Sequence, residues 1–286
     1  MTFGFGIVTA SLLALSAVGL SLQFGVTNFV NFGYGALLGL GMYFTYALST
    51  TVGLPFWFAA LGGTLLTGVA SVIVDVLILE PFVRRGTSGF FMLIVTFGLS
   101  LILLNLIQLF WGVSFTKFAI HQGTPLKIGP FSFTPNQLAI VAIAIVVLIG
   151  VHLLLTRTTL GRSMRAMSDN ASLAKVSGIN TGRVTMWTWF ISGCLAGLGG
   201  VTLAINTVSF QAYTGNNFLF VIFAAVIVGG IGQIYGAMIG AIVIGLVVNL
   251  SGIWISSAYQ LDLAFGVLVL VLLVRPQGVI ATAGKA

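Results

Sequence analysis

Charged residues are scarce in this chain. Only four of its 286 residues are acidic and eleven are Lys or Arg, so charged side chains make up 5% of the sequence. Soluble domains typically carry about 25% charged residues. A chain of this length with so few charges could not cover a surface that faces water. The scarcity therefore excludes a soluble globular protein and favours a protein embedded in a lipid bilayer.

Cysteine and ionisable side chains inside the apolar runs are nearly absent as well. The single cysteine, Cys194, excludes an intrachain disulfide and a metal site built from several thiolates. Asp75 and Asp262 lie near the ends of apolar runs, and His152 lies within one helical turn of a basic stretch. We find no nucleophile–base pair, metal-spaced histidine cluster or nucleotide motif, so we expect no catalysis and no bound metal. A proton-coupled carrier would lack its usual buried acids.

Long apolar runs are what the sequence does contain. Hydrophobic residues make up 58% of the chain, and the runs are about 20 residues long, the length of a helix that crosses a bilayer. They are continuous rather than alternating, which excludes a β-barrel. No basic residues precede the first run, so we expect a membrane span there rather than a cleaved signal peptide.

These runs predict an all-α polytopic membrane protein with about eight membrane segments, some of them broken or re-entrant, in a single domain that covers residues 1–286. The predicted segments are 5–22, 23–49, 55–79, 90–111, 135–155, 184–205, 218–250 and 262–274.

Loop charges predict the orientation. The intervals 80–89 and 156–183 and the tail from Arg275 hold nine of the eleven basic residues, so we expect all three on the cytoplasmic side. The interval 112–134 should then face outward. Because the net charge of +7 lies in loops and forms no basic face interleaved with aromatic residues, we expect no nucleic-acid partner.

The stretch 218–250 is interrupted by Gly229-Gly230-Ile231-Gly232-Gln233. Its 33 residues are too few for two ordinary spans of about 20 residues each, yet the cytoplasmic points on either side require an even number of crossings. We therefore predict two short helices that turn inside the protein near the middle of the membrane, where only a protein or polar lining tolerates irregular backbone. Gly232, Gly236 and Gly240 form a stripe of small residues that favours close helix packing.

A second break is predicted around 28–33, where amide side chains precede a run of glycines. Amides and hydroxyls within apolar runs suit the path of a small neutral or zwitterionic solute, although hydrogen bonding between helices is the alternative for each of them. The predicted path residues are Gln23, Asn28, Asn31, Tyr34, Asn105, Gln108, Gly229, Gly230, Gly232 and Gln233.

The interval 157–183 is the one long polar segment. It holds five basic residues and a single acid, Asp169. Ser168 or Asp169 can cap a helix at its N-terminus, and Gly178 stands where a left-handed glycine would end it. The pattern predicts a short amphipathic helix of about two turns, and a plain solvated loop is the alternative.

Four stretches carry a resemblance to a known family: TRTTLGRSMRAMSDNASLAKVSGIN, FGVTNFVNFGYGALLGLGMYFTYAL, VIVGGIGQIYGAMIGAIVIG and the closing RPQG. Together they resemble the shorter of the two permease subunits of branched-chain amino-acid ABC importers. The resemblance implies a multi-pass protein of the bacterial inner membrane with the ABC importer permease fold. It also implies a homologous second permease, two cytoplasmic ATPase subunits and an extracytoplasmic solute-binding protein. ATP and Mg²⁺ would be bound by the ATPases, so no cofactor is expected in this chain.

The family's ATPase-coupling loop maps onto residues 166–179. The wider ABC importer pattern begins Glu-Ala-Ala, and here the matching acid is Asp169 or absent. On this mapping Ala171 and Ala174 would form the small face of a docking helix. The residues predicted to couple to the ATPases are Arg165, Ala166, Asp169, Ala171, Ala174, Lys175, Gly178 and Ile179.

We therefore predict a transport subunit and not an enzyme. This subunit would form half of a path for branched-chain or related amino acids. Urea and short amides are the alternative cargo. A channel or ion-coupled carrier that works without ATPases is the alternative of a different class.

Overall fold

The computed structural model describes residues 2–120, 123–124, 126–128, 131–251, 260–274 and 278. The basic tail from Arg275 and the side chain of Asp262 lie outside this description. The helices are α1 (Thr2–Thr27), α2 (Tyr34–Thr50), α3 (Phe56–Val74), α4 (Glu80–Arg84), α5 (Gly89–Trp111), α6 (Pro135–Arg157), α7 (Thr159–Val176), α8 (Thr181–Thr207), α9 (Thr214–Gly229), α10 (Ile234–Ser251) and α11 (Gln260–Val274).

Two short elements are not α-helices. A π-helical turn, Asp75–Leu79, joins α3 to α4. A two-stranded antiparallel hairpin, β1 (Leu126–Ile128) and β2 (Phe131–Phe133), precedes α6. The start of α6 is a capping box, in which the side chains of Thr134 and Gln137 bond to each other's backbone N–H groups.

The predicted all-α membrane architecture is confirmed. Within the described residues, six helices are long and apolar enough to cross a membrane: Gly4–Thr27, Phe56–Arg84, Gly89–Trp111, Pro135–Arg157, Thr181–Thr207 and Ile234–Ser251. Two shorter apolar helices are Thr214–Gly229 and Leu263–Leu273. The predicted count of about eight segments stays a prediction.

Helices α1 and α8 form the centre of the bundle. In each, 78% of the most apolar 18-residue stretch is buried, against 22–33% of the corresponding stretches in α3, α5, α6 and α10. Small residues allow this central packing: a Cβ on Gly199 would collide with Ser16 of α1, and one on Gly193 would collide with Ser71 of α3. The outer helices instead expose apolar side chains such as Leu65 and Phe97, as expected where lipid covers them.

The predicted break in 218–250 is confirmed, and the turn lies level with the ends of α1 and α6 rather than with their middles. Helix α9 ends at Gly229 and α10 begins at Ile234. The helices have 16 and 18 residues, or roughly 24 and 27 Å at ~1.5 Å per residue. Each is therefore somewhat shorter than an ordinary span of about 20 residues, and the even number of crossings stays a prediction.

The α9–α10 turn lies at the end of the bundle that carries α7. The carbonyl of Gly232 and the hydroxyl of Ser168 lie 3.4 and 3.5 Å from the position that a Cβ on Gly25, near the end of α1, would occupy. Next to the turn, the Tyr235 hydroxyl makes a 2.9 Å hydrogen bond with Nδ1 of His152, near the end of α6.

Gly232 is not part of a helical stripe, because it lies in the turn with a φ of +80°. The close packing of α9 and α10 is made by Gly229, Gly236 and Gly240. A Cβ on Gly236 would collide with the Gly229 carbonyl, and one on Gly240 with the Ala225 carbonyl.

Candidate functional site

The break between α1 and α2 is held by a buried polar cluster. Helix α1 ends because Asn28 adopts a left-handed conformation with a φ of +58°, which asparagine tolerates better than most residues. The Asn31 side chain then donates from Nδ2 to Gln23 Oε1 at 2.9 Å and accepts from the Gly33 N–H at 2.8 Å. Gln23 and Asn31 are each only 1% exposed.

A hydroxyl on α5 supports the same break. Thr96 Oγ1 accepts a hydrogen bond from the Phe32 N–H at 3.2 Å and lies 3.3 Å from the Val30 carbonyl. Thr96 is fully buried. The irregular backbone of this segment is thus paired and covered by protein, the condition under which a membrane protein tolerates it. The sequence-based analysis missed Thr96, because a threonine in an apolar helix usually bonds only to its own backbone.

The structure brings some of the predicted path residues together and separates others. Tyr34 is fully buried, and its hydroxyl faces Gly19 of α1, where a Cβ would collide with it. Asn28 is exposed at the edge of the same break. Asn105 is exposed on α5 and donates to its own helix, to the Leu101 carbonyl at 2.7 Å, so it does not join the buried cluster.

The remaining predicted path residues occupy two other places. Gln108 lies half-buried on α5. Gly229, Gly230, Gly232 and Gln233 form the α9–α10 turn at the α7 end of the bundle, and Ile231 of this turn lines a cavity together with Val30 and Phe32 of the α1–α2 break. Gly230 has a φ of +108°, and Gly278 packs so closely against it that a Cβ on Gly278 would lie 2.6 Å from the Gly230 N.

An apolar cavity of about 320 Å³ adjoins the α1–α2 break. Val30 and Phe32 of the break form one side, Phe223 and Ile227 of α9 form another, and Phe265 of α11 closes it. The buried amides and this apolar cavity are therefore neighbours along the same irregular segment.

Helix α7 consists of two parts separated by a kink. Its first part begins at Thr158, whose hydroxyl accepts from the Gly161 N–H at 3.0 Å, and packs inward through Met164 and Met167. The helix is interrupted at Asn170, which has a φ of −158° and a ψ of 102°. The Asn170 side chain then caps the second part by accepting from the Leu173 N–H at 2.9 Å.

The predicted short helix with a glycine stop is therefore present, but its predicted cap is wrong. Ser168 and Asp169 lie inside the first part of α7, and the cap is Asn170. At the other end, Gly178 has a φ of +85°. The Ile179 N–H bonds to the Ala174 carbonyl and the Gly178 N–H to the Lys175 carbonyl, both at 3.1 Å, which is the Schellman pattern of a helix end.

The face that this second part presents differs from the predicted one. Ala174 is 4% exposed and packs inside the chain, whereas Leu173 and Val176 are 63% and 87% exposed. Ala171 is exposed, so it and Ala174 do not share a free surface. Among the other residues predicted to contact an ATPase, Arg165, Asp169, Lys175 and Gly178 are exposed, and Ala166 and Ile179 are half-buried.

The comparisons with known proteins agree with this architecture. Residues 2–274 match the family model described as the permease component of branched-chain amino acid transport systems. A probable branched-chain amino acid transport permease of Methanocaldococcus jannaschii is 31% identical over 96% of this chain and 90% of its own length. A high-affinity branched-chain amino acid transport system permease of Escherichia coli (strain K12) is 26% identical over 96% and 93%.

More distant similarity extends to a permease named for a sugar. The ribose import permease of Escherichia coli (strain K12) is 27% identical over 92% of this chain and 82% of its own length. No solved structure matches the chain. The match over nearly all of the sequence, together with the helical bundle and its broken segments, shows that the chain belongs to the family of permease components of branched-chain amino acid transport systems.

Proposed function

We propose that this chain is the membrane-spanning permease subunit of an ATP-driven importer, that it forms half of a path for branched-chain amino acids, and that it docks a cytoplasmic ATPase through the second part of α7. The names of two relatives that match nearly the whole chain support the cargo. The ribose permease shows that related chains are named for other solutes, and urea or short amides stay the alternative cargo.

The observation that carries the docking proposal is the exposure of Leu173 and Val176. Both side chains project from a helix of six residues that is capped by Asn170 and stopped by Gly178. Exposed apolar side chains in a polar segment are favourable when a partner covers them, and their burial is worth ~1.5–3 kcal/mol each. Because hydrogen bonds cap both ends of this helix, it can also transmit a movement of the ATPase to the permease as a rigid unit.

The path proposal depends on the α1–α2 break. The buried amides of Gln23 and Asn31 lie beside the 320 Å³ apolar cavity, so polar groups and an apolar surface meet along one segment. A zwitterion with an aliphatic side chain needs both kinds of contact. Asn28 at the exposed edge of the break is the residue that a second, homologous permease would approach to complete the path.

The orientation follows from the charges. We place α7 in the cytoplasm of a bacterial inner membrane, with the loop between α5 and α6 outside, where a solute-binding protein would dock. That loop is tied to the α8–α9 connection by Thr116 and Phe210, whose N–H and carbonyl groups bond reciprocally at 2.8 Å. The start of this loop is thus held against the α8–α9 connection.

The test is leucine uptake by the complex reconstituted with its ATPases and solute-binding protein in vesicles. We expect uptake that requires ATP, that isoleucine and valine inhibit, and that urea does not. Val176→Asp should abolish ATPase copurification and uptake, whereas the neighbouring exposed change Lys175→Ala should affect both little, because exposed ion pairs are worth only ~0–1 kcal/mol. Leucine uptake without ATP would contradict the proposal, and so would uptake of urea alone.

A further inference from the structure

A second cavity, of about 220 Å³, lies between α1, α7 and α10. It is at the α7 end of the bundle, next to the α9–α10 turn, and therefore on the cytoplasmic side in the orientation proposed above. Arg165 and Asp169 both line it and both are exposed, so solutes in the cytoplasm can reach it. It has room for several water molecules or one small solute.

The cavity contains one charge of each sign. Arg165 and Asp169 are four residues apart in the first part of α7 and so lie on the same face. Within the described residues, neither side chain belongs to an ion pair, and the one ion pair found there joins Arg84 to Glu80. Asp169 stands one residue before the kink at Asn170, where the carbonyl end of a helix adds partial negative charge. This arrangement favours a cation at Asp169 and an anion at Arg165.

A buried hydroxyl without a partner also lines the cavity. Ser21 of α1 is fully buried, and its Oγ has no hydrogen-bond partner in the part of the chain that the structure describes. A buried polar group left unpaired costs ~1–3 kcal/mol. A ligand oxygen placed in the cavity would remove that cost.

Thr156, Ser168, Gln233 and Tyr235 add further polar groups to the lining, and the remaining wall is largely aliphatic. Leu22 and Val26 of α1, Leu155 of α6, Met164 of α7 and Ile234 of α10 complete the wall. A cavity with a carboxylate, a guanidinium and an unpaired hydroxyl next to aliphatic side chains matches the groups of a free amino acid whose side chain is aliphatic.

We infer that this cavity binds a free aliphatic amino acid from the cytoplasmic side, with the ligand carboxylate on Arg165 and Ser21 and its ammonium group on Asp169. The choice of an amino acid rests on the proposed function. The cavity is lined both by α7, which is proposed to contact the ATPase, and by Gly232 and Gln233 of the α9–α10 turn. An amino acid that accumulates inside the cell would thus bind between two elements that importing requires, and would slow further import.

The test is calorimetric titration of leucine into the complex of permeases and ATPases in lipid nanodiscs, without the solute-binding protein. We expect saturable binding that Asp169→Asn and Arg165→Gln each weaken about tenfold or more, because both remove a charge-assisted hydrogen bond. Arg162→Gln removes the same charge as Arg165→Gln from an exposed site on the same helix outside the cavity, and should leave the affinity unchanged. Isoamylamine and isocaproate, which each lack one charged group of leucine, should bind more weakly than leucine.

Several outcomes would overturn the inference. One is an absence of leucine binding to the parent complex, and another is an equal affinity in Asp169→Asn and Arg162→Gln. Binding that is lost in Asn31→Ala but retained in Asp169→Asn would assign the leucine to the transport path instead.

Uptake measurements separate this inference from the proposed function. If the parent complex imports leucine but Asp169→Asn binds it normally, the inferred cytoplasmic site is contradicted and the proposed function stands. If the complex imports no amino acid, the proposed cargo fails, and leucine binding that still depends on Asp169 and Arg165 would support the cavity independently.

Discussion

The side-chain amide of Asn31 donates to Gln23 Oε1 at 2.9 Å, although Gln23 belongs to α1 and Asn31 to the segment that leaves it. The bond folds the broken segment back along the last turns of α1. Since Asn31 also accepts from the Gly33 N–H, the same side chain fixes the point at which α2 begins. The buried amide of Asn31 therefore links the end of α1 to the start of α2.

We predict that Asn31→Ala lowers both thermal stability and uptake. The change leaves Gln23 Oε1 and the Gly33 N–H without their partners in a buried site, at a cost of ~1–3 kcal/mol. In a chain of this size each kcal/mol corresponds to a drop of roughly 2–4 °C in the melting temperature. Fluorescence-detected melting of the purified complex measures the first effect, and uptake in vesicles measures the second.

Asn105→Ala is the matched control, because it deletes the same amide from an apolar helix. Asn105 is exposed and, among the described residues, its side chain donates to the Leu101 carbonyl of its own helix, so stability and uptake should change little. If the two alanine variants behave alike, the Gln23–Asn31 bond does not hold the break.

A second prediction concerns the contact between α9 and α10. Gly240→Ala should destabilise the complex and reduce uptake, because the new Cβ would collide with the Ala225 carbonyl and push the two helices apart. Gly150→Ala is its control on the outer helix α6, where a Cβ would meet no atom within 4 Å. There the better helix propensity of alanine should leave stability unchanged or raise it by up to ~1 kcal/mol. The melting temperature should therefore fall in Gly240→Ala and stay unchanged or rise in Gly150→Ala.

A third prediction tests the orientation with single cysteines in a Cys194→Ala background. Leu173→Cys should react with a membrane-impermeant maleimide only when the cytoplasmic face is open, and Val113→Cys should react in intact cells. Both positions are well exposed in the chain alone, at 63% and 70%, so the permease is expressed without its ATPases to keep the thiol at 173 uncovered. Labelling of Leu173→Cys in intact cells would reverse the orientation and remove the cytoplasmic assignment of α7.

Much of the bundle could be predicted from the sequence, because the length and composition of apolar runs determine which segments can cross a bilayer. The α9–α10 break could also be predicted from the sequence, since three glycines within four residues cannot continue a stable helix. Its depth was not visible. Counting crossings shows only that a turn exists, and its position along the bundle depends on contacts such as that between Gly232 and Gly25.

The polar residues show a similar limit. The glycines that follow Asn31 predict a helix break there, whereas Asn105 lies in a continuous apolar run, but neither pattern shows which of the two amides is buried. In α7 the kink at Asn170 changes the phase of the helix, so that the small Ala174 turns inward and the larger Leu173 and Val176 turn outward. The sequence predicted a short helix after Ser168 or Asp169, but the face of that helix that packs against the bundle depends on tertiary contacts that the local sequence does not give.

The last prediction uses this exchange to separate packing from docking. Ala174→Trp places a large side chain in a buried position that is shared with Met167 and Val184, and overpacking of this kind typically costs ~1–3 kcal/mol. It should therefore lower the melting temperature of the permease, and ATPase binding should be lost only because α7 is displaced. Val176→Asp changes a side chain that is 87% exposed, so it should leave the melting temperature unchanged while ATPase copurification is lost. If Ala174→Trp melts normally and Val176→Asp still retains the ATPase, the docking surface lies elsewhere, and the α4 turn with Glu80 and Arg84 is the next segment to test.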